Sequence, residues 1–102
     1  LNSFFGGQVK EKETYVKILN EMIKVMSELL GSKVALICAR RTPLIINPEG
    51  KVEGFYGEGK LAVEILLKQY EEVIGEVCHE PIRKAIKPII EKKKVELPKN
   101  LM

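Results

Sequence analysis

Between Lys33 and Tyr56 the sequence reads KVALICARRTPLIINPEGKVEGFY, the only stretch with β character. Helical patterns flank it on both sides, so its reading limits what the whole chain can become. Val34, Ala35, Leu36, Ile37, Cys38 and Ala39 form a continuous apolar run. That run is short for a buried helix and has the length of a strand covered on both faces. Arg40, Arg41, Thr42 and Pro43 interrupt it, and Pro43, which lacks an N–H, belongs at an edge or in a turn. Leu44, Ile45 and Ile46 open a second strand. Asn47-Pro48-Glu49-Gly50 has the chemistry of a tight turn: Pro48 presets φ at the first corner and Gly50 accepts a positive φ. Val52, Phe55 and Tyr56 supply a third strand, with Lys51 and Glu53 alternating outward. Residues 44–56 therefore read as a hairpin within a small three-stranded, mostly antiparallel sheet. Such a sheet does not stand alone in water and needs helices against it.

The flanking segments supply them. From about Lys10 to Leu30 apolar residues fall at Tyr15, Ile18, Leu19, Met22, Ile23, Met26, Leu29 and Leu30, at steps of three and four. This is one helix face, widened by Val16 and Val25 and closed by Gly31. Leu61 to Ile74 repeats the pattern, with Ala62, Ile65, Leu66, Tyr70, Val73 and Ile74 inward and Gly75 as its stop. A third helix is expected from Glu76, with Ile82, Ala85, Ile86, Ile89 and Ile90 at helical spacing. Pro81 suits a first turn, whereas Pro88 should kink or divide the helix. The fold class expected is α+β, one domain over residues 1–102: a long N-terminal helix, the small sheet, and two C-terminal helices packed on it. Residues 1–9 read as an arm whose Phe4 and Phe5 rings either stay loose or dock on a neighbour. Residues 95–102 read as a tail.

A helix of about 20 residues is about 30 Å long, more than a sheet of short strands covers. Part of its apolar stripe should therefore seek a partner. Tyr15, Val16, Leu19, Met22, Ile23, Val25 and Met26 are the expected interface of a homodimer, the commonest closed assembly.

Charge separates along the chain. From Ile82 onward Arg83, Lys84, Lys87, Lys92, Lys93, Lys94 and Lys99 oppose only Glu91 and Glu96, although the whole chain carries only +3. With Arg40 and Arg41, the residues Arg83, Lys84, Lys87 and Lys92 to Lys94 are the candidate nucleic-acid contacts. Interleaved aromatics are lacking there, and a lysine run at a helix end is usually solvated.

The candidate chemistry is sparse. Aspartate is absent from the sequence, which rules out an Asp nucleophile or Asp-held magnesium. Gly54 to Lys60 matches G-x-x-x-x-G-K, yet Leu61 stands where a P-loop has Ser or Thr. The reading retained is a weak anion contact at Gly57, Gly59 and Lys60, with the Glu58 carboxylate capping the helix itself. Cys78, His79 and Glu80 diverge on a helix and cannot share one metal; two Cys and one His do not make a closed zinc site. No catalytic residue, metal or cofactor is expected. Both cysteines should be reduced thiols, Cys38 the slower to react, and His79 should lie at the surface. Reduced cysteines and the lack of a signal-peptide pattern suit the cytoplasm, no membrane span is expected, and the Lys/Glu-rich composition leans toward a thermophile. The function these features suggest is non-enzymatic: a self-associating regulatory or sensor module, with nucleic-acid or weak anion binding as alternatives.

Overall fold

The structure is a computed structural model; it describes the backbone of residues 2–102 and the side chains of residues 11–102. Residues 2–9, expected as an arm before a helix starting at about Lys10, have helical backbone, and the side chains of Phe4 and Phe5 lie outside those described. In chain order the elements are α1 (Asn2–Leu30), α2 (Ser32–Arg40), β1 (Leu44–Ile46), β2 (Val52–Phe55), α3 (Gly59–Ile74), a 3-10 turn (Gly75–Cys78), α4 (His79–Lys92) and a second 3-10 turn (Lys99–Leu101). The class is α+β, mostly helical. Among the described residues no helix is long and apolar enough to cross a membrane.

The apolar run at 34–39 is a helix, not a strand, and the sheet has two strands rather than three. The reason lies in which residues are covered. Ala35, Cys38 and Ala39 are buried, while Val34 and Ile37 are exposed. Spacings of three and four put the small residues on one face, where two helices approach closely. Gly31, at φ 89°, separates α1 from α2, and one residue makes the reversal. Its N–H donates to Ser27 O at 2.9 Å and its carbonyl accepts from Ala35 N at 3.1 Å, so it closes one helix and opens the next.

The hairpin forms where the turn chemistry places it. Leu44 pairs with Phe55, Ile45 with Gly54 and Ile46 with Val52, with an irregularity between Ile45 and Ile46. The Asn47 carboxamide oxygen accepts from Glu49 N and Lys51 N, each at 3.0 Å, and Gly50 turns at φ 89°. The outer edge of β2 is engaged at Val52. The Asn20 side chain of α1 donates to Val52 O at 3.0 Å and accepts from Val52 N at 2.8 Å. A side-chain amide thus takes the place of a neighbouring strand.

α1 is the axis of the molecule. About 43 Å is expected for 29 helical residues, and the longest molecular dimension is 42 Å. α2, α3, α4 and β2 all pack on it. Ile18, Leu19, Met22 and Met26 are fully enclosed, joined by Leu66, Leu67, Tyr70, Ile82 and Ile86 from the later helices. Each such side chain contributes about 1.5–3 kcal/mol relative to exposure. Tyr70 keeps its hydroxyl satisfied by donating to Ala35 O at 2.9 Å, which ties α3 to α2.

This packing changes the expected interface. Tyr15, Leu19, Met22, Ile23 and Met26 are buried within the chain, and Val16 and Val25 are half-buried against the same core. The stripe is not surplus, because α2, α3 and α4 cover what the sheet cannot. The inward face of α3 is rotated from the expected one. Val63 and Leu67 are buried, Ile65 is half-buried, and Val73 is 49% exposed. Pro88 does not divide α4, which runs through it as one helix.

Candidate functional site: an apolar groove with a basic rim

α4 carries two faces. Ile82 and Ile86 are buried, and α4 packs on α1. Arg83, Ile86, Lys87 and Ile90 are related by spacings of three and four, which sets them along a second side, and Lys94 follows the helix end. The chain beyond α4 then folds back beside that second side. Lys93 is extended and ends the helix. Leu97, Pro98 and Leu101 are buried, so the stretch 95–102 is a packed wall and not a loose tail. Two side chains hold it by its backbone. Tyr15 of α1 donates its hydroxyl to Glu96 O at 2.8 Å, and Arg83 Nε donates to Asn100 O at 3.0 Å.

Between wall and helix lies a groove of about 830 Å³. Its apolar lining comes from Ile86, Ile90, Val95, Leu97, Leu101 and Met102. Lys60, Arg83, Lys87 and Lys94 supply positive charge around it, against the carboxylates of Glu11 and Glu96. Chemically the groove offers an apolar surface for hydrocarbon and a rim for an anion. The Arg83 side chain, 40% exposed, is positioned by Glu80, whose carboxylate accepts from Nη1 at 2.7 Å.

The expected anion site at Gly57, Gly59 and Lys60 has a different structure from the one its sequence suggests. Gly59 is buried because α3 approaches Tyr15: a Cβ there would lie 2.0 Å from Cδ2 of the ring. Its small size serves packing, not the approach of a phosphate. Glu58 stands at the helix N-cap, but its carboxylate makes no capping hydrogen bond, contrary to expectation. The hollow beside these residues is lined by Glu11, Glu58 and Glu96 together with Lys12 and Lys60. Burial, reinforced by Glu11, Glu96 and Glu58, raises the pKa of the Tyr15 phenol above its ordinary value. Three carboxylates around one hydroxyl oppose an anion there. Only Lys60 of the three residues reaches the neighbouring groove.

The candidate nucleic-acid residues fall on two helices with different neighbours. Arg40 and Arg41 close α2, which packs on α1, α3 and β1; α4 packs on α1 and the two 3-10 turns. On α4, Lys84, Lys87 and Lys92 are exposed, while Lys92 and Lys93 border a separate hollow over Glu13 and Lys17 of α1.

His79 begins α4 but is only 8% exposed, not a surface residue. Its Nε2 meets the Glu71 carboxylate, which pins the start of α4 to the last turns of α3. Both cysteines are free thiols. Cys78 is fully enclosed and Cys38 is 4% exposed, so both thiols are buried. Burial raises both thiol pKa values; Glu71 adds to the effect at Cys78, and Arg41 counters it at Cys38. Neither is an activated nucleophile. Among the described residues no three His, Cys or Glu side chains are grouped to hold a metal.

Comparison of the chain with protein-family models, with curated proteins and with solved structures finds no match. The groove therefore rests on its own geometry. The sequence contained one signal for it: Val95, Leu97 and Leu101 interrupt an otherwise polar end around Pro98. Where those residues would fold back is not written in their spacing.

Proposed function

We propose that this chain is a non-enzymatic, sensor-type binding module whose ligand is an amphipathic anion held in the groove between α4 and residues 95–102. The hydrocarbon part lies along Ile86, Ile90, Val95 and Leu97, and the acidic end meets the basic rim. The observation that carries the reading is the convergence of Lys60, Arg83, Lys87 and Lys94 on an apolar groove. Its size suits a small ligand, since such sites run to about 300–1,000 Å³ and combine apolar walls with few polar groups. α1 plays no part as a docking surface in this reading, because its stripe is buried in the chain's own core.

Titration of the isotope-labelled protein with decanoate and with decyl phosphate tests it. Amide shifts confined to residues 83–101, saturable and lost in a folded Ile90→Glu variant, are the expected result. No shifts with either anion, or equal shifts in the variant, would overturn it. Nucleic-acid binding is the second reading, favoured by the exposed lysines of α4. It requires oligonucleotide affinity that falls steeply with salt, whereas a ligand held mainly by apolar contact is far less sensitive.

A further inference from the structure

Resting on the reading just given, we infer that Arg83 is the residue that recognises the head of the ligand, and that this head is a carboxylate. The groove is then a site for single-chain carboxylic acids.

Arg83 differs from the other rim cations in being held in place. Nε donates to Asn100 O at 3.0 Å and Nη1 to the Glu80 carboxylate at 2.7 Å. A guanidinium has five N–H donors in a fixed plane. Two are engaged, and among the described residues the other three, on Nη1 and Nη2, have no protein acceptor. A planar carboxylate matches a pair of such donors with two parallel hydrogen bonds. Because the guanidinium is already oriented, little rotamer freedom is lost when the anion arrives. Lys60, Lys87 and Lys94 are exposed ammonium groups on flexible stems. They act as point charges without directional demand.

The surroundings favour a carboxylate over a phosphate. A phosphate presents further oxygens that need donors, of the kind a glycine turn at a helix N-terminus supplies. Here that turn, Gly57 to Gly59, opens into the neighbouring hollow with its carboxylates and does not line the groove. Glu11 and Glu96 stand on the groove's own rim and oppose a dianion more than a monoanion.

The geometry also links head to wall. The atom that Arg83 Nε holds is the Asn100 carbonyl, one residue before buried Leu101. The same side chain therefore orients the ligand and fixes the segment that encloses it.

The test measures affinities of decanoate, decyl phosphate and decanol for the full chain and for Arg83→Lys and Lys87→Met. Wild type should prefer decanoate to decyl phosphate. Arg83→Lys retains the charge and loses the fork, so decanoate should weaken by about tenfold or more, and by a clearly larger factor than decanol, which feels only the loosened wall. Lys87→Met should weaken decanoate by less than about fivefold, as for an exposed ion pair. Equal weakening of decanol and decanoate by Arg83→Lys would reduce Arg83 to a support of the wall and overturn the inference. So would a preference for decyl phosphate, or an unchanged decanoate affinity; in both cases groove binding itself stands. Binding of neither anion removes the inference and the reading beneath it together.

Discussion

α1 and α4 are both amphipathic, yet their apolar stripes have opposite fates. The stripe of α1 is covered by α2, α3, α4 and β2, which enclose Ile18, Leu19, Met22 and Met26 and leave Val16 and Val25 half-buried. Among the described residues, the stripe of α4 is roofed by α1 on one flank. On its other flank the cover is an irregular segment that leaves a groove beside Ile86 and Ile90. Helical periodicity records how much apolar surface an element has. It does not record how much the rest of the chain will cover. In this molecule the longest stripe is structural, and the shorter one is left partly open.

The comparison makes its strongest claim about truncation. Leu19→Ala, in the closed region, should destabilise by about 2–5 kcal/mol, as fully buried leucines do. Ile90→Ala, on the groove, should cost under about 1 kcal/mol, because little packing is lost where solvent already reaches. Denaturant melts of the two variants measure the difference, and equal losses would mean that the groove side is as closed as the core.

Gly59→Ala asks whether the two regions are independent. The added Cβ would collide with the Tyr15 ring at 2.0–2.4 Å. Overpacking of this kind costs about 1–3 kcal/mol. Displacing the ring should also break the Tyr15–Glu96 hydrogen bond, so amide exchange should quicken across residues 95–101. A stability loss without faster exchange there would show that the wall does not depend on Tyr15.

The smallest effect separates the regions by pH. Tyr70, Cys38 and Cys78 belong to the enclosed side. Burial raises all three pKa values above the ordinary 10.0 for tyrosine and 9.0 for cysteine. Each group holds its proton more tightly folded than unfolded, so the stability it confers is complete below the ordinary value. It is lost as pH climbs toward the raised folded value. Thermal midpoints should be unaffected by these groups in neutral solution and fall above about pH 9, more steeply beyond about pH 10. Tyr70→Phe should flatten the steeper part; an unchanged slope would place the sensitivity elsewhere.

How much of this was legible in the sequence follows from the range of each determinant. α1 was legible because its stripe runs over many turns, and the hairpin because Asn47, Pro48 and Gly50 encode their turn locally. α2 was misread because nine residues give only about two and a half turns, and six consecutive apolar residues fit either period. What decides is that Ala35, Cys38 and Ala39 are buried while Val34 and Ile37 are exposed, a tertiary fact. The groove lay further from view. Lys60, Arg83 and Lys94 meet only because residues 95–102 fold back, and Gly59 was read as part of a phosphate motif when its neighbour is an aromatic ring. The residues expected to form an interface on α1 are buried or half-buried within the chain instead, a covering by α3 and α4 that has no local signature.

The amide of Asn20 has a consequence beyond the fold of one molecule. A sheet of two strands is all edge, and an open edge invites strands from other chains to add to it. Val52 sits where such an addition would start, and both its backbone groups are already engaged by Asn20. One side chain therefore occupies, at Val52, both backbone groups that an added strand would need there.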